Sequence, residues 1–577
     1  MTNILDKVNS SADVKTLSLE EMTSLSAEVR EVLIKKINAV SGHLAPNLGF
    51  VEATIALHNV FNLPTDKIVF DISHQVYTHK ILTGRKDGYL DETKYHKYSG
   101  FTNPAESDCD LFQIGHTSTS VSLAVGLAKG RDINKKNENI IAVIGDGSLT
   151  GGEAYEGLNN AAILNSNFIV IVNDNGMSIA ENQGGLDLHL KQLKESKGTC
   201  PNNLFKALGF DYLYVDNGNN IADLIEAFKK VKDTKKPVVV HLKTIKGKGY
   251  ADAEQNPEKF HYAMPNFLDK TATYTPTESY ASITKEYILN EVKKGNNIVA
   301  VNPATPAFLG FDKKTRESLG EHFMDVGIAE QHAVACISGI AKEGAKPILF
   351  VASSFIQRSY DQLSQDLALN SNPATILIYG GAITGADATH LGLFDISMIS
   401  NIPNIVFLCP TYKEEYLAML DWSVNKNKDK SVVIRVPTGN LVSGNADNTD
   451  YSKLNKFKVV KKGEKVAVLA VGNFSELGLS VAEELNATLI NPCYVSGIDK
   501  ELLNELGKTH SVVITLEDGI LDGGFGQKIA SYYGGSAVKV LNFGAEKIFT
   551  DSVPLDELYE RYHLTKELII ADVKKIM

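Results

Sequence analysis

VIGDGSLTGGEAYEGLNNAAILNSNFIVIVNDNGMS, residues 143–178, is the stretch from which the rest of the chain can be read. The apolar run Ile140 to Ile144 predicts a buried strand ending in Gly145-Asp146-Gly147. A helix is expected next, then a second strand, Phe168 to Val172, ending in Asn173-Asp174-Asn175. That is one βαβ unit, and both turns fall at the carboxyl edge of a parallel sheet, where α/β folds bind ligands. Asp146 offers a carboxylate oxygen and Asn175 a neutral carbonyl oxygen. Mg²⁺ takes such ligands and completes its octahedron with phosphate oxygens. The glycines let the backbone come close to a diphosphate. A lone Gly-Asp-Gly is more often an ordinary turn, so the specificity lies in the whole unit.

The surrounding 577 residues suggest about three or four domains. A hydrophobic content of 43% and a charged content of 22% are those of a globular protein. The net charge of −11 argues against a nucleic-acid partner. No apolar run approaches the length of a membrane span, so no membrane partner is expected. The opening MTNILDKVNSSADVKTLS has neither the apolar core of a signal peptide nor the arginines of a transit peptide. Five cysteines, at 109, 200, 336, 409 and 493, form no CxxC pair and read as reduced thiols of a cytoplasmic protein.

Residues 15–40 read as amphipathic helices, and SGHLAPNLGFVEATIALHNVF places His43 in a loop ahead of a helix from about Phe50. KIVFDISHQVYTHKILTGR predicts a short buried strand, Ile68 to Ile72, with His74 just past its end, where a ligand could be met. Taken singly, either histidine reads equally well as a core or surface residue. Gly115-His116-Thr117 opens a Ser- and Ala-rich helix whose N–H groups suit a diphosphate, or else an ordinary Ser/Thr cap. Residues 184–205 are polar, Gly-punctuated and expected to be mobile. After a helix near 221–232 and the strand PVVVHLKTI come Lys246, Lys248 and Tyr250. They form either a solvated basic loop or a phosphate contact with an aromatic wall. Residues 265–280 and 441–456 have linker composition and separate three successive α/β blocks.

SGHLAPNLG, DISHQVYTHKILTGR, GDGSLTGGEAYEGLNNA, NDNGMSIAEN, IAEQHAV and SFIQRSYDQ together resemble the 1-deoxy-D-xylulose-5-phosphate synthase family of transketolase-like enzymes, over nearly the whole chain. The resemblance implies an α/β fold of three transketolase-like domains with mostly parallel sheets. These are a diphosphate-binding domain at 1–270, a pyrimidine-binding domain at 280–445 and a C-terminal domain at 457–577. It also implies a homodimer, with thiamine diphosphate and Mg²⁺ as cofactors and pyruvate and an aldehyde as substrates. In the family a glutamate addresses the aminopyrimidine, and Glu330 in DVGIAEQHA matches it. The plainer reading is a Glu favoured at a helix start by the dipole. Phe355 matches the residue that stacks on the pyrimidine, and is otherwise core. His43, His74, His261 and His390 match histidines around the thiazolium, where oxyanions and proton transfers need groups poised near neutral pH. His74, Gly115, His116, Thr117, Gly147, Ser148, Asn175 and Tyr250 match the cofactor contacts. Asp146, Asn175 and the carbonyl of Met177 match the Mg²⁺ ligands, and Arg358 and Asp387 match acceptor contacts.

The acceptor side departs from the family pattern. YGGA at 379–382 stands where the family usually has DRAG, RVPTG at 435–439 stands for RYPRG, and Ala352 stands for a tyrosine. Gly380 and Thr438 thus replace two arginines. At roughly 1.5–3 kcal/mol per charged contact, a phosphorylated acceptor would bind about a hundredfold or more weakly unless other groups substitute. The leading expectation is condensation of pyruvate with glyceraldehyde 3-phosphate. A related carboligase using another, unphosphorylated aldehyde is the alternative. Retention of Asp146, Asn175 and Glu330 argues against a non-catalytic homologue. The chain is also short for the family, mainly near 184–205.

Overall fold

The computed structural model describes residues 3–269 and 277–577, so part of the expected 265–280 linker, residues 270–276, lies outside the described residues. Five runs rich in Val and Ile form β1 (Lys67–Phe70), β2 (Ile140–Gly145), β3 (Phe168–Asp174), β4 (Asp211–Val215) and β5 (Pro237–Lys243). All pair in parallel, in the order β1-β2-β3-β5-β4. Ile141, Val143, Ile169, Ile171, Val238 and Val240 enter one core, with Leu57 and Phe228 from covering helices. Their neighbours Ile140, Ala142, Ile144, Val170, Val172 and Val239 enter another, with Ala124 and Leu158. Successive side chains alternate between two buried faces, which is why these strands read as unbroken apolar runs. The helix Gly152–Ala161 crosses from β2 to β3, and the register sets Gly145 opposite Asn173. Asp146 and Asp174 are therefore the next residues on adjacent strands.

Six further strands, β6 (Ile298–Asn302), β7 (Phe323–Asp325), β8 (Lys346–Ala352), β9 (Thr375–Tyr379), β10 (Ile405–Leu408) and β11 (Ser431–Arg435), form a parallel sheet ordered β10-β11-β9-β8-β6-β7. A third sheet holds β12 (Lys458–Lys461), β13 (Lys465–Ala470), β14 (Thr488–Asn491), β15 (His510–Ile520) and β16 (Lys539–Ala545), ordered β12-β14-β13-β15-β16, with only β12 antiparallel to its neighbour. The three sheets fall into two compact units: Met1–Thr275 with Gly327–Ala329, and Pro276–Val326 with Glu330–Met577. The second and third sheets share a unit because they share an interior. Leu349, Ile376, Phe407 and Val433 lie in one cluster with Ala467, Leu469 and Val513.

Four local expectations change. β1 stops at Phe70 rather than Ile72, because Ile72 (φ 60°) and Ser73 (φ 64°) turn into the left-handed region. Residues 184–205 contain the helix Gly185–Glu195, whose Leu190 and Leu193 join the first unit's core. The helix expected from Gly115 begins at Ser120. The 441–456 stretch is docked rather than loose: Tyr451 is buried, and Asp447 pairs with Lys458 at 2.8 Å. Among the described residues no helix is long and apolar enough to cross a membrane.

Candidate active site

The register of β2 and β3 builds an acidic turn pair. Asp146 is buried, and its Oδ2 accepts from Gly176 N at 2.6 Å and Asn182 Nδ2 at 2.8 Å. Asn175 Oδ1 accepts from Met177 N at 3.1 Å. A Cβ on Gly147 would stand 2.6 Å from Ser178 Cβ, so glycine is what lets the two turns touch. Asp174 takes a different job: it accepts from Lys194 Nζ at 2.5 Å and meets His241 Nε2 at 2.8 Å, while His241 Nδ1 meets Tyr212 Oη at 2.8 Å. Burial, then the neighbouring Asp174, pushes the Asp146 carboxyl above the usual range. Burial also works on Asp174, but the hydrogen bond from His241 and the charge of Lys194 outweigh it and hold that carboxyl low.

Three of the predicted histidines meet in the first unit. The ring centroids of His43 and His74 are 5.0 Å apart, those of His43 and His261 5.6 Å, and those of His74 and His261 5.4 Å in a stacked pair. Lys246 links this cluster to the acidic turns, because its buried Nζ donates to the Ser178 carbonyl and lies 3.1 Å from His261 Nδ1. The solvated-loop reading of Lys246 is therefore corrected. Burial pulls its ammonium down to about 8. Burial, then the charge of Lys246, holds His261 well below the usual histidine range. Tyr250 packs on Phe260 at 5.6 Å and Phe267 at 6.0 Å between ring centroids.

Asp71 joins the remaining predicted contacts of this unit. Its carboxylate accepts from Ser118 N at 2.8 Å and Ser120 N at 3.0 Å, which puts a residue of this chain at the helix start where a diphosphate was expected. Ser118 Oγ donates to the Ser148 carbonyl at 2.8 Å. Asp71 and Ser118 thereby tie the Ser118–Ser120 backbone to Ser148. Asn182, Lys194, His241 and Asp71 all escaped the sequence reading.

In the second unit Glu330 opens the helix Glu330–Lys342 and is 4% exposed. Its Oε2 makes no hydrogen bond among the described residues; Arg358 Nη1 stands 3.6 Å away. Burial raises the Glu330 carboxyl, and Arg358 opposes the rise. Phe355 meets His390 edge-on at 5.7 Å between centroids. His390 Nδ1 lies 2.8 Å from Thr389 Oγ1, which in turn donates to Asp387 at 2.6 Å. Burial holds His390 below the usual range. In the altered RVPTG segment, Arg435 is committed to a two-pronged pair with Asp395, at 2.8 and 3.0 Å, and Thr438 N donates to Asn473 Oδ1 at 3.0 Å.

A family model described as 1-deoxy-D-xylulose-5-phosphate synthase matches residues 5–200 and 194–244. Curated relatives match end to end. The Clostridium tetani 1-deoxy-D-xylulose-5-phosphate synthase is 35% identical and the Halothermothrix orenii one 37%, with 100% of this chain covered in each and 100% and 98% of the relatives. The chain belongs to the 1-deoxy-D-xylulose-5-phosphate synthase family. Models of the transketolase pyrimidine-binding domain and C-terminal domain match residues 278–443 and 455–569. A transketolase crystal structure from Campylobacter jejuni matches 96% of this chain and 99% of its own at 17% identity, with a TM-score of 0.44.

Membership in the synthase family makes this chain an enzyme of transketolase type and implies thiamine diphosphate as its cofactor. The Clostridium tetani alignment runs over 622 positions against 577 residues here, so at least 45 positions of it have no residue in this chain.

Proposed function

We propose that this chain decarboxylates pyruvate and condenses the remaining two-carbon unit with D-glyceraldehyde 3-phosphate, giving 1-deoxy-D-xylulose 5-phosphate and CO₂, a precursor for isoprenoid and thiamine synthesis. Family membership along the full length carries this reading. Two features of the chain fit the cofactors. Glu330 Oε2 is a buried carboxyl oxygen without a hydrogen bond among the described residues, faced by the Arg358 guanidinium at 3.6 Å, and so has room for a closer donor. Asp146 is a buried acid whose charge is opposed by Asp174, a strain that a cation relieves. Among the described residues no three His, Cys, Asp or Glu side chains are arranged to hold a metal alone. One carboxylate with neutral oxygens and a diphosphate is the donor set that suits Mg²⁺.

Bound thiamine diphosphate supplies the nucleophilic centre for the keto carbon and a place for the electron pair released with CO₂. Asp146, Asn175 and the Met177 carbonyl hold Mg²⁺. His74, Gly115, His116, Thr117, Gly147, Ser148 and Tyr250 hold the cofactor, Phe355 stacks on its pyrimidine, and Glu330 keeps a proton at the pyrimidine nitrogen. His43, His74, His261 and His390 move protons at the substrate oxygens. A lysine ammonium only donates. Lys246 therefore leaves the ring proton of His261 on Nε2, making that atom a donor. Arg358 and Asp387 contact the acceptor. The working form is a cytoplasmic homodimer of three-domain chains, with domains at 1–270, 280–445 and 457–577.

The test supplies purified enzyme, Mg²⁺ and thiamine diphosphate with pyruvate and a panel of aldehydes, reading product by NMR. Preference for glyceraldehyde 3-phosphate is expected. Equal or faster turnover of unphosphorylated glyceraldehyde overturns the assignment.

A further inference from the structure

Three loops carry His43, His74 and His261, and each loop is irregular, so something must hold them in register. The third is tied to the first by backbone. Gly42 N donates to the Ala263 carbonyl at 3.0 Å, Ala263 N returns to Gly42 at 2.8 Å, and Ala45 N donates to Phe260 at 2.9 Å. The first and second are tied chiefly by the Asn47 side chain, beside a longer bond in which His43 N donates to Tyr77 Oη at 3.4 Å. Asn47 is 1% exposed; its Nδ2 donates to the His43 carbonyl at 2.7 Å and to the His74 carbonyl at 2.8 Å. Its Oδ1 accepts from Tyr77 N at 2.9 Å. A carboxamide has two N–H groups on one nitrogen and one carbonyl oxygen. All three are used here, and the two donors go to the main chain of the two histidines whose rings stand 5.0 Å apart.

We infer that Asn47 is a positioning residue that sets the mutual placement of His43 and His74 for proton transfer at the substrate. The inference rests on the proposed function and deepens it. No other side chain of this size supplies a forked pair of donors with an acceptor behind it. Aspartate keeps the shape but turns both donations into oxygen facing oxygen, so the two loops separate. A displacement of about 1 Å at a proton-transfer group can cost on the order of a hundredfold in rate.

The experiment compares wild-type, Asn47→Asp and Asn47→Ser holoenzymes, the serine variant keeping one donor and one acceptor in case the aspartate variant does not fold. CO₂ release from pyruvate is measured as kcat and KM across pH, per folded enzyme. In parallel, the histidine ring signals are titrated by NMR after labelling at Cε1. Positioning predicts kcat reduced by about tenfold to a hundredfold, KM for pyruvate little changed, a displaced pH–rate profile, and moved His43 and His74 signals. A folded variant with wild-type kcat, an unmoved pH profile and unmoved ring signals overturns it, even if its melting temperature falls. If the wild type itself releases no CO₂, the proposed function fails on that control, and the ring signals still decide the role of Asn47.

Discussion

Gly147→Ala isolates the contact between the two ligand turns. Gly147 sits at φ −62°, ψ −41°, which alanine adopts freely, so the backbone raises no objection. The objection comes from across the gap. The new Cβ would lie 2.6 Å from Ser178 Cβ, 3.1 Å from Ser178 Cα and 3.3 Å from Asn182 Oδ1. Ser178 Cβ is fixed to its own backbone and cannot rotate aside. Ordinary carbon contact therefore needs the turns to part by roughly 0.8 Å in a close-packed region. Overpacking of this kind costs about 1–3 kcal/mol. The cost falls on the segment whose Gly176 N and Asn182 Nδ2 hold Asp146 at 2.6 and 2.8 Å. Binding of thiamine diphosphate at saturating Mg²⁺, read by isothermal titration calorimetry, should weaken by about tenfold to a hundredfold, since such sites tolerate only about 0.5 Å of misplacement. Gly152→Ala is the control: a Cβ there meets nothing within 4 Å, and binding should hold. A Gly147→Ala protein that binds as tightly as wild type refutes the argument.

Three further outcomes are expected. Glu330→Gln should lower CO₂ release by about two to four orders of magnitude. Because burial already disfavours the Glu330 charge, its denaturation midpoint should not fall; a variant of full activity removes Glu330 from the chemistry. Arg358→Met removes the charge that opposes the rise at Glu330, so the alkaline limb of the pH–rate profile, where the Glu330 proton is lost, should move to higher pH, and a stationary limb contradicts the coupling. The third concerns His58, His79 and His261, which burial holds below the ordinary value of 6.5. Below that value the unfolded chain binds protons that the folded one refuses. Stability is therefore full above about pH 6.5 and falls below it, by up to about 1.4 kcal/mol per pH unit for each histidine. Guanidinium midpoints at about pH 7.5 and about pH 5.5 test this, and an unchanged midpoint tells against it.

The βαβ unit was legible because burial on both faces writes itself as unbroken apolar runs, and because a crossover between parallel neighbours puts both strand ends on one edge. Convergence of His43, His74 and His261 was legible only through resemblance, since nothing local to any one of them points at the others. The helix Gly185–Glu195 did leave a signal: Leu186, Leu190 and Leu193 fall on one face, outweighed by the glycines at 184 and 185 and the surrounding polarity. Burial of Lys246 had no local signature, because a lysine is buried only when distant partners receive it, here the Ser178 carbonyl and His261. Asn47 and Asp71 were invisible for a related reason. Each bonds backbone groups more than twenty residues away, and a side chain that serves another loop's main chain disturbs neither periodicity nor composition. The residues that bear the chemistry can be guessed from their type. The residues that aim them are ordinary in type, and only the folded geometry separates Asn47 from any other asparagine in this chain.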